Sequence, residues 1–553
     1  MHPASDINAR RPVVRPANAE RAPVTFDFFE SPAAALAPFE WYMLVDETTD
    51  CPMVFSLILE LHGTIDVARW QAAIRQAITV HPLLNACVDQ TGGKHQARWK
   101  RCHREVELRY FQHADDLPAH WQRFDLANER GFRCAVVANQ SARDVQQELP
   151  KATQLDLPSD HAVESCGGRT QDPTCSWFLI LTFHHAATDG IGARSFAADV
   201  VHMYGQLDGS CEVAAVTLRK RRRRKSNDEQ IQLALDSRAN FPRPNSQQLT
   251  WRHKLRVIGK EVWSMLTRRT ATLVSRERDA ILKLSVPKVS EGVACSPDSS
   301  TTDNSYVAFP TALGLAGLRF THEQTSQFKQ TATAAGASLN EFLLAVFCKA
   351  VTRYLTAVQG SLPNWITVVA PVHLSREVLR SGQACNAISY AFLHARGEHT
   401  QQLRPQMERF AQIFSRLRQT RSPVLFIDTL TRLRRLPSRL SHWVIRGSNP
   451  ATFVFSYLGE SSHQMADDLA FASETATELR HVDLGNCQIT SMWGAPPVRR
   501  GTELAVAVQL FTDQLLITFR HDQDYLPTDR LRILQELIQQ ELLQSLSPNS
   551  PSC

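Results

Sequence analysis

An apolar run from Trp177 to Phe183 leads without interruption into His184-His185-Ala186-Ala187-Thr188-Asp189-Gly190. Seven strand-forming residues ending on two adjacent histidines and a glycine constrain this chain more than any other stretch. Successive side chains on a strand face opposite ways, so His184 and His185 cannot share one task while the strand continues. His184 is read as a packing residue and His185 as the one facing a cavity. Asp189 and Gly190 close a tight loop, and Gly190-Ile191-Gly192 is expected to supply the backbone freedom of that turn. An imidazole held at a strand end, with an ordinary pKa of roughly 6.5, accepts a proton from a hydroxyl or amine near neutral pH. That is general-base chemistry. No metal is expected, because adjacent strand residues diverge and no further ligand follows at metal spacing.

The chain has 553 residues, too many for one ordinary core, so two domains with connections are expected. Its 12 cysteines are scattered singly with no C-x-x-C pair, the pattern of a reduced, intracellular protein. Residues 1–25 are rich in Arg, Pro and Ala without an apolar core, and are read as a disordered arm rather than a secretory signal or membrane span. No uninterrupted apolar run is long enough to cross a bilayer. A cytoplasmic protein, soluble or peripheral to a membrane, is the expectation.

The net charge of +6 is unevenly placed. Residues 217–283 hold 18 Lys and Arg against 6 Asp and Glu, which leaves the rest of the chain net negative. This segment contains Arg219-Lys220-Arg221-Arg222-Arg223-Arg224-Lys225 and then Trp251, Leu255, Ile258, Val262, Met265 and Leu266 at helical spacing. Two readings stand: a basic amphipathic helix lying on an anionic membrane, or a solvated linker whose helix packs on the body. A nucleic-acid role is disfavoured, because no nucleic-acid module accompanies the run.

The first half, residues 26–209, opens with a strand at Val54–Leu61 and a helix placing Val67, Trp70, Ile74, Ala77 and Ile78 on one face. Residues 140–174 read as a surface insertion, and a helix is expected from Ser195 to Tyr204. After the linker, residues 210–303, the second half spans 304–546 and a tail 547–553. Thr321 with Gln324 and Ser338 with Glu341 have capping-box spacing. The second box opens a helix with Phe342, Leu343, Val346, Phe347, Val351 and Tyr354 on its apolar face. Ile366–Ala370 is a buried strand. Further strands are expected at Thr452–Ser456, Glu503–Leu510 and Gln514–Arg520, and a closing helix from Thr528 to about Leu546.

At His184, His185, Asp189 and Gly190 the chain resembles the HHxxxDG acyltransferases, the superfamily of chloramphenicol acetyltransferase, peptide-synthetase condensation domains, alcohol acyltransferases and wax ester synthases. The stretch from Leu61 through His81-Pro82-Leu83-Leu84 is similar to the opening strand and helix of condensation domains. The resemblance implies two chloramphenicol-acetyltransferase-like α/β sandwich halves with the active site in a channel between them. It makes His185 the catalytic base, and His184, Asp189 and Gly190 supports of its loop. It also implies an arginine partner for Asp189. Arg376, in Pro371-Val372-His373-Leu374-Ser375-Arg376, is the candidate, one residue later than in the family pattern. Asn386–Tyr390 resembles the strand that follows. Ser456-Tyr457-Leu458-Gly459 is similar to the Ser-Asn-x-Gly segment of alcohol acyltransferases, with Tyr457 in place of Asn, and Ser456 is a candidate oxyanion donor or substrate contact. The Asp-Phe-Gly-Trp-Gly segment of the plant branch is absent, and Ser491-Met492-Trp493-Gly494 is a loose echo of it.

The function implied is acyl transfer from a thioester, either acyl-CoA or an acyl-carrier protein's phosphopantetheine arm, to an alcohol or amine, with no bound cofactor. The absence of a G-x-S-x-G elbow, a phosphate loop and the third glycine of a dinucleotide fingerprint agrees with a donor that is already activated. Amide or ester condensation in natural-product biosynthesis is the alternative. Two non-catalytic readings also stand: a condensation-like binding domain, and a membrane or nucleic-acid adaptor built on the basic segment, which in the enzyme reading would dock on an anionic membrane or an acidic carrier protein.

Overall fold

The computed structural model describes residues 28–30, 34–93, 96–139, 176–207, 306–374, 383–420, 422–446, 451–460, 481–499, 501–523 and 526–546. The N-terminal arm, the surface insertion, the basic segment 217–283 with its helix at Trp251, Arg376 and the C-terminal tail lie outside these residues.

Among the described residues, fifteen strands form two large sheets and one small one. They are β1 (Val54–Gly63), β2 (Ala86–Asp89), β3 (Arg98–Arg101), β4 (Leu108–Phe111), β5 (Phe132–Asn139), β6 (Ser176–His184), β7 (Tyr306–Ala308) and β8 (Leu315–Arg319). They continue as β9 (Trp365–His373), β10 (Ile388–Arg396), β11 (Phe453–Glu460), β12 (Val482–Asp483), β13 (Cys487–Gly494), β14 (Leu504–Phe511) and β15 (Gln514–His521). The six-stranded sheet runs β12-β13-β1-β6-β5-β4, the seven-stranded sheet runs β10-β9-β11-β14-β15-β8-β7, and β2 pairs with β3. The expected α/β architecture in two sheet bodies is what the chain adopts.

β6 is buried along its whole length because β1 and β5 flank it and side chains cover both of its faces. That is why its sequence is continuously apolar rather than alternating. On its first-half side, α2 (Val67–Ile78) buries Trp70, Ala73, Ile74, Ala77 and Ile78, and Asp66 caps it by accepting the Arg69 N–H at 2.9 Å. In the second half both capping boxes form, Thr321–Gln324 at the start of α4 (His322–Ala334) and Ser338–Glu341 at the start of α5 (Leu339–Gln359). α5 buries all six of its expected face residues. It packs between α6 (Leu403–Thr420) and α9 (Thr528–Gln544). The β14–β15 hairpin turns at Thr512 and Asp513, both with positive φ, as the tight reversal of two twisted strands requires.

The start of one helix and the course of two strands differ from the sequence reading. The helix after the histidines, α3 (Gly190–Gln206), begins five residues before Ser195, because the Asp189 side chain caps it through the Gly192 N–H. And β12 and β13, from the second half of the chain, join the first-half sheet beside β1, with Leu57 opposite Gly494 and Gly63 opposite Cys487. This exchange ties the halves together. Among the described residues no single helix is long and apolar enough to cross a membrane.

Candidate active site

His185 sits one residue beyond the end of β6, and its backbone is held on both sides. Its N–H donates to the Met53 carbonyl at 2.7 Å, and its carbonyl accepts from Asn386 Nδ2 at 2.6 Å. The imidazole lies between Phe55 and Phe39, with ring centroids 5.2 and 6.1 Å away. Burial among these rings pushes its pKa below the ordinary 6.5, opposed by its own backbone carbonyl and by Asp189. Nδ1 is enclosed.

His184 is turned elsewhere. Its Nδ1 accepts the Ala186 N–H at 3.0 Å, so Nε2 carries the proton and faces Glu47 Oε1 at 3.1 Å. Glu47 follows directly on α1 (Pro38–Asp46), so His184 fastens the strand end to that helix.

The loop from His185 to Gly192 is clamped by residues 383–387 of the second half. Asn386 Nδ2 reaches both the His185 and the Ala186 carbonyls, and the Ala387 N–H donates to Asp189 Oδ2 at 2.9 Å. Asp189 Oδ1 takes the Gly192 N–H at 2.8 Å. His81, fully buried, accepts the Ala384 N–H at Nδ1 and donates from Nε2 to Asp199 of α3, both at 2.9 Å. Gly192 is glycine for space and not for a turn. It lies in the first turn of α3, and a Cβ there would stand 2.9 Å from the Cys385 nitrogen and closer still to Thr188 Oγ1.

A narrow cavity of about 20 Å³ opens beside His185, room for about one water molecule, so a substrate entering here must displace side chains. Met53 and His185 line it from the first half and Val369, Pro371 and Val454 from the second, with Pro496 and Pro497 just beyond the exchanged β13. Its polar wall is Tyr390 and the ion pair of Arg499 Nη2 with Asp46 Oδ1 at 2.9 Å. Burial lowers the Arg499 pKa, but Tyr42 and Asp46 outweigh it and hold the pKa above the ordinary value.

The other site residues named from the sequence fall as follows. Ser456 is buried within β11, two residues from Val454 and hence on the same side of the strand as that cavity-lining residue. The expected strand Thr452–Ser456 runs on to Glu460 with a bulge at Leu458, so Ser456–Gly459 lies inside the strand instead of after it. Gly190 is the first residue of α3, against Leu458. Arg376 is outside the described residues. Among those described, Arg194 of α3 lies near enough to Asp189 to feel its charge, and donates to the Leu458 carbonyl at 2.7 Å. Asn386, His81, Arg499 and Asp46 were not singled out from the sequence. His81 and Asn386 entered the sequence reading only as members of the stretches at Leu61–Leu84 and Asn386–Tyr390. No group of side chains that could hold a metal ion occurs among the described residues.

No protein-family model and no curated protein matches the sequence. Solved structures do. The trichothecene 15-O-acetyltransferase of Fusarium sporotrichioides superposes with a TM-score of 0.57 at 11% identity, over 92% of this chain and 94% of that one. The first condensation domain of the calcium-dependent antibiotic synthetase superposes with a TM-score of 0.51 at 13% identity, over 93% and 97% of the two chains. This chain has the condensation-domain, chloramphenicol-acetyltransferase-like fold. A third match, the cyclization-docking bidomain of the EpoB synthetase from Sorangium cellulosum, has a TM-score of 0.50 at 11% identity, over 93% of this chain and 84% of that one. Near-complete coverage at such low identity means that the two halves of the condensation-domain fold are preserved while most side chains differ.

Proposed function

We propose that this chain transfers an acyl group from a thioester to an alcohol or amine, with His185 as general base. The observation that carries the reading is the seat of His185. It is a buried imidazole with a lowered pKa at the edge of a cavity lined by both halves of a condensation-domain fold. Such an imidazole is neutral at pH 7 and able to take a proton. Nδ1 is buried without a hydrogen-bond partner, and we assign Nε2 as the atom that meets the acceptor.

In this reaction the acceptor's O–H or N–H proton passes to Nε2 as its oxygen or nitrogen bonds to the thioester carbonyl carbon. The resulting oxyanion needs a donor, and Ser456 is the hydroxyl we assign to it. Collapse breaks the C–S bond, and the imidazolium returns the proton to the departing thiolate. Coenzyme A and a carrier's phosphopantetheine arm end in the same thiol, so both serve as donors in this scheme. The apolar lining supports an apolar acyl chain or acceptor. His184, Asp189 and Gly190 support the loop without touching substrate.

The test is release of free thiol from acyl-CoA in the presence of a panel of alcohols and amines, for the wild type and His185→Ala. General-base catalysis contributes roughly 10²- to 10⁴-fold, so the variant should lose about that much while melting near the wild-type temperature. A folded variant with wild-type turnover rules out His185 as the base. A wild type that releases thiol with no acceptor in the panel counts against transfer.

A further inference from the structure

The connection between α7 (Ser422–Leu433) and α8 (Ser438–Arg446) carries an apolar surface turned to solvent. Trp443 is 71% exposed, Leu440 45% and Leu436 37%. Leu440 and Trp443 stand one helical turn apart on α8, whose other side buries Ser441 and Ile445. Leu436 lies in the turn before the helix. α8 is thus apolar outward as well as inward, and a contiguous exposed apolar patch marks an interaction surface.

The charged residues in and directly before α8 are basic. Arg432, Arg435 and Arg439 are exposed. From Thr429 to Arg446 the chain has five arginines and no Asp or Glu. An outward Trp and two Leu framed by arginines is the composition of a segment that lies in a membrane interface, with tryptophan at headgroup depth.

The same helices stand behind two of the cavity's lining residues, Arg499 and Tyr390. The Ile445 carbonyl of α8 accepts from Arg499 Nη2 at 3.5 Å, and that guanidinium also holds Asp46 at the cavity wall. Phe426 of α7 lies 5.7 Å, ring to ring, from Tyr390, which lines the cavity. The patch therefore lies on helices that pack against the residues lining the site.

We infer that this face docks on an anionic lipid surface, with Leu436, Leu440 and Trp443 entering the headgroup boundary and Arg432, Arg435 and Arg439 on the lipid phosphates. An acidic carrier protein would satisfy the arginines, but the outward Trp–Leu stripe fits a lipid boundary better. Docking brings the cavity to substrates dissolved in the membrane. That benefit rests on the acyl-transfer reading, whereas the binding itself does not. Its residues are other than those of the basic segment 217–283.

The test is sedimentation of the full chain with vesicles of phosphatidylcholine alone and with roughly one-third phosphatidylglycerol, at low and high salt. Wild type should bind the anionic vesicles, less so at high salt, and not the neutral ones. One variant combines Leu436→Ser, Leu440→Ser and Trp443→Ser, and another Arg432→Gln, Arg435→Gln and Arg439→Gln. Each should partition at least about fivefold less, the factor equivalent to ~1 kcal/mol for a single basic contact. Both should keep the wild-type melting temperature and turnover of a soluble short-chain acyl-CoA. The inference is overturned by absent wild-type binding, by equal binding to neutral vesicles, or by variants that bind as wild type does. It is also overturned if the face captures an acidic carrier protein and ignores vesicles. Intact vesicle binding with no acyl transfer would count against the proposed activity alone.

Discussion

The Asp189 carboxylate of the first half accepts the Ala387 N–H of the second half at 2.9 Å, while its other oxygen caps α3 through Gly192. One side chain, four residues after His185, therefore fixes a helix start, a loop and an interface between halves. Hydrogen bonds to a charged acceptor contribute about 1.5–3 kcal/mol each. Asp189→Ala should cost about 3 kcal/mol or more in urea unfolding and lower turnover as the loop loosens. Asp189→Asn keeps one acceptor and should fall between. Wild-type stability in both variants would remove the structural role assigned to this residue.

Gly192→Ala tests the same junction by volume. The added methyl has no room against Thr188 and the Cys385 backbone, so it must push residues 383–387 away from the loop. Overpacking of this kind costs about 1–3 kcal/mol. Turnover should fall along with the melting temperature, and a variant that matches wild type in both would show that the junction yields without consequence.

The pH profile follows from the sign of the His185 shift. The base form is neutral, and burial lowers its pKa from 6.5. kcat/KM should be flat from pH 7 upward and fall on the acid side with a midpoint below 6.5. A midpoint above 7 would contradict an enclosed imidazole.

Acid stability is expected to depend on Glu60 of β1. Burial alone would raise its pKa. Hydrogen bonding to His62, the charge of Arg319 from β8 and the Ser491 hydroxyl of β13 instead lower it to about 2. A carboxyl depressed in the fold adds stability that is present above its unfolded pKa, about 4.3, and is lost as pH falls toward about 2. Arg319→Gln leaves the buried carboxylate without its cation, which costs about 3–5 kcal/mol at pH 7. The deficit should shrink as pH falls below about 4.3, and be smaller at pH 3 than at pH 7. Equal deficits at pH 7 and pH 3 would mean that Arg319 acts by packing alone.

The sequence by itself located the strand before His185, the buried strand at Ile366–Ala370, α2, α5 and both capping boxes. These features rest on local physics: apolar period, capping chemistry and continuous burial are all written within a dozen residues. The histidine pair was legible for the same reason, since alternation along a strand is a local rule. The α3 start was not. Gly190 and Gly192 have the propensity of a turn, and the approach of the Thr188 hydroxyl and of Cys385, nearly two hundred residues away in sequence, is what makes Gly192 necessary as space within a helix. The exchange of β12 and β13 was equally invisible, because strand pairing depends on a partner that β13 meets only after the chain has folded. The Asn386 and His81 clamp, the Arg499–Asp46 pair and the size of the cavity all depend on which residues of one half face the other. Tertiary structure alone decided them, because hydrogen bonds and packing act across space and leave no periodic mark along the chain.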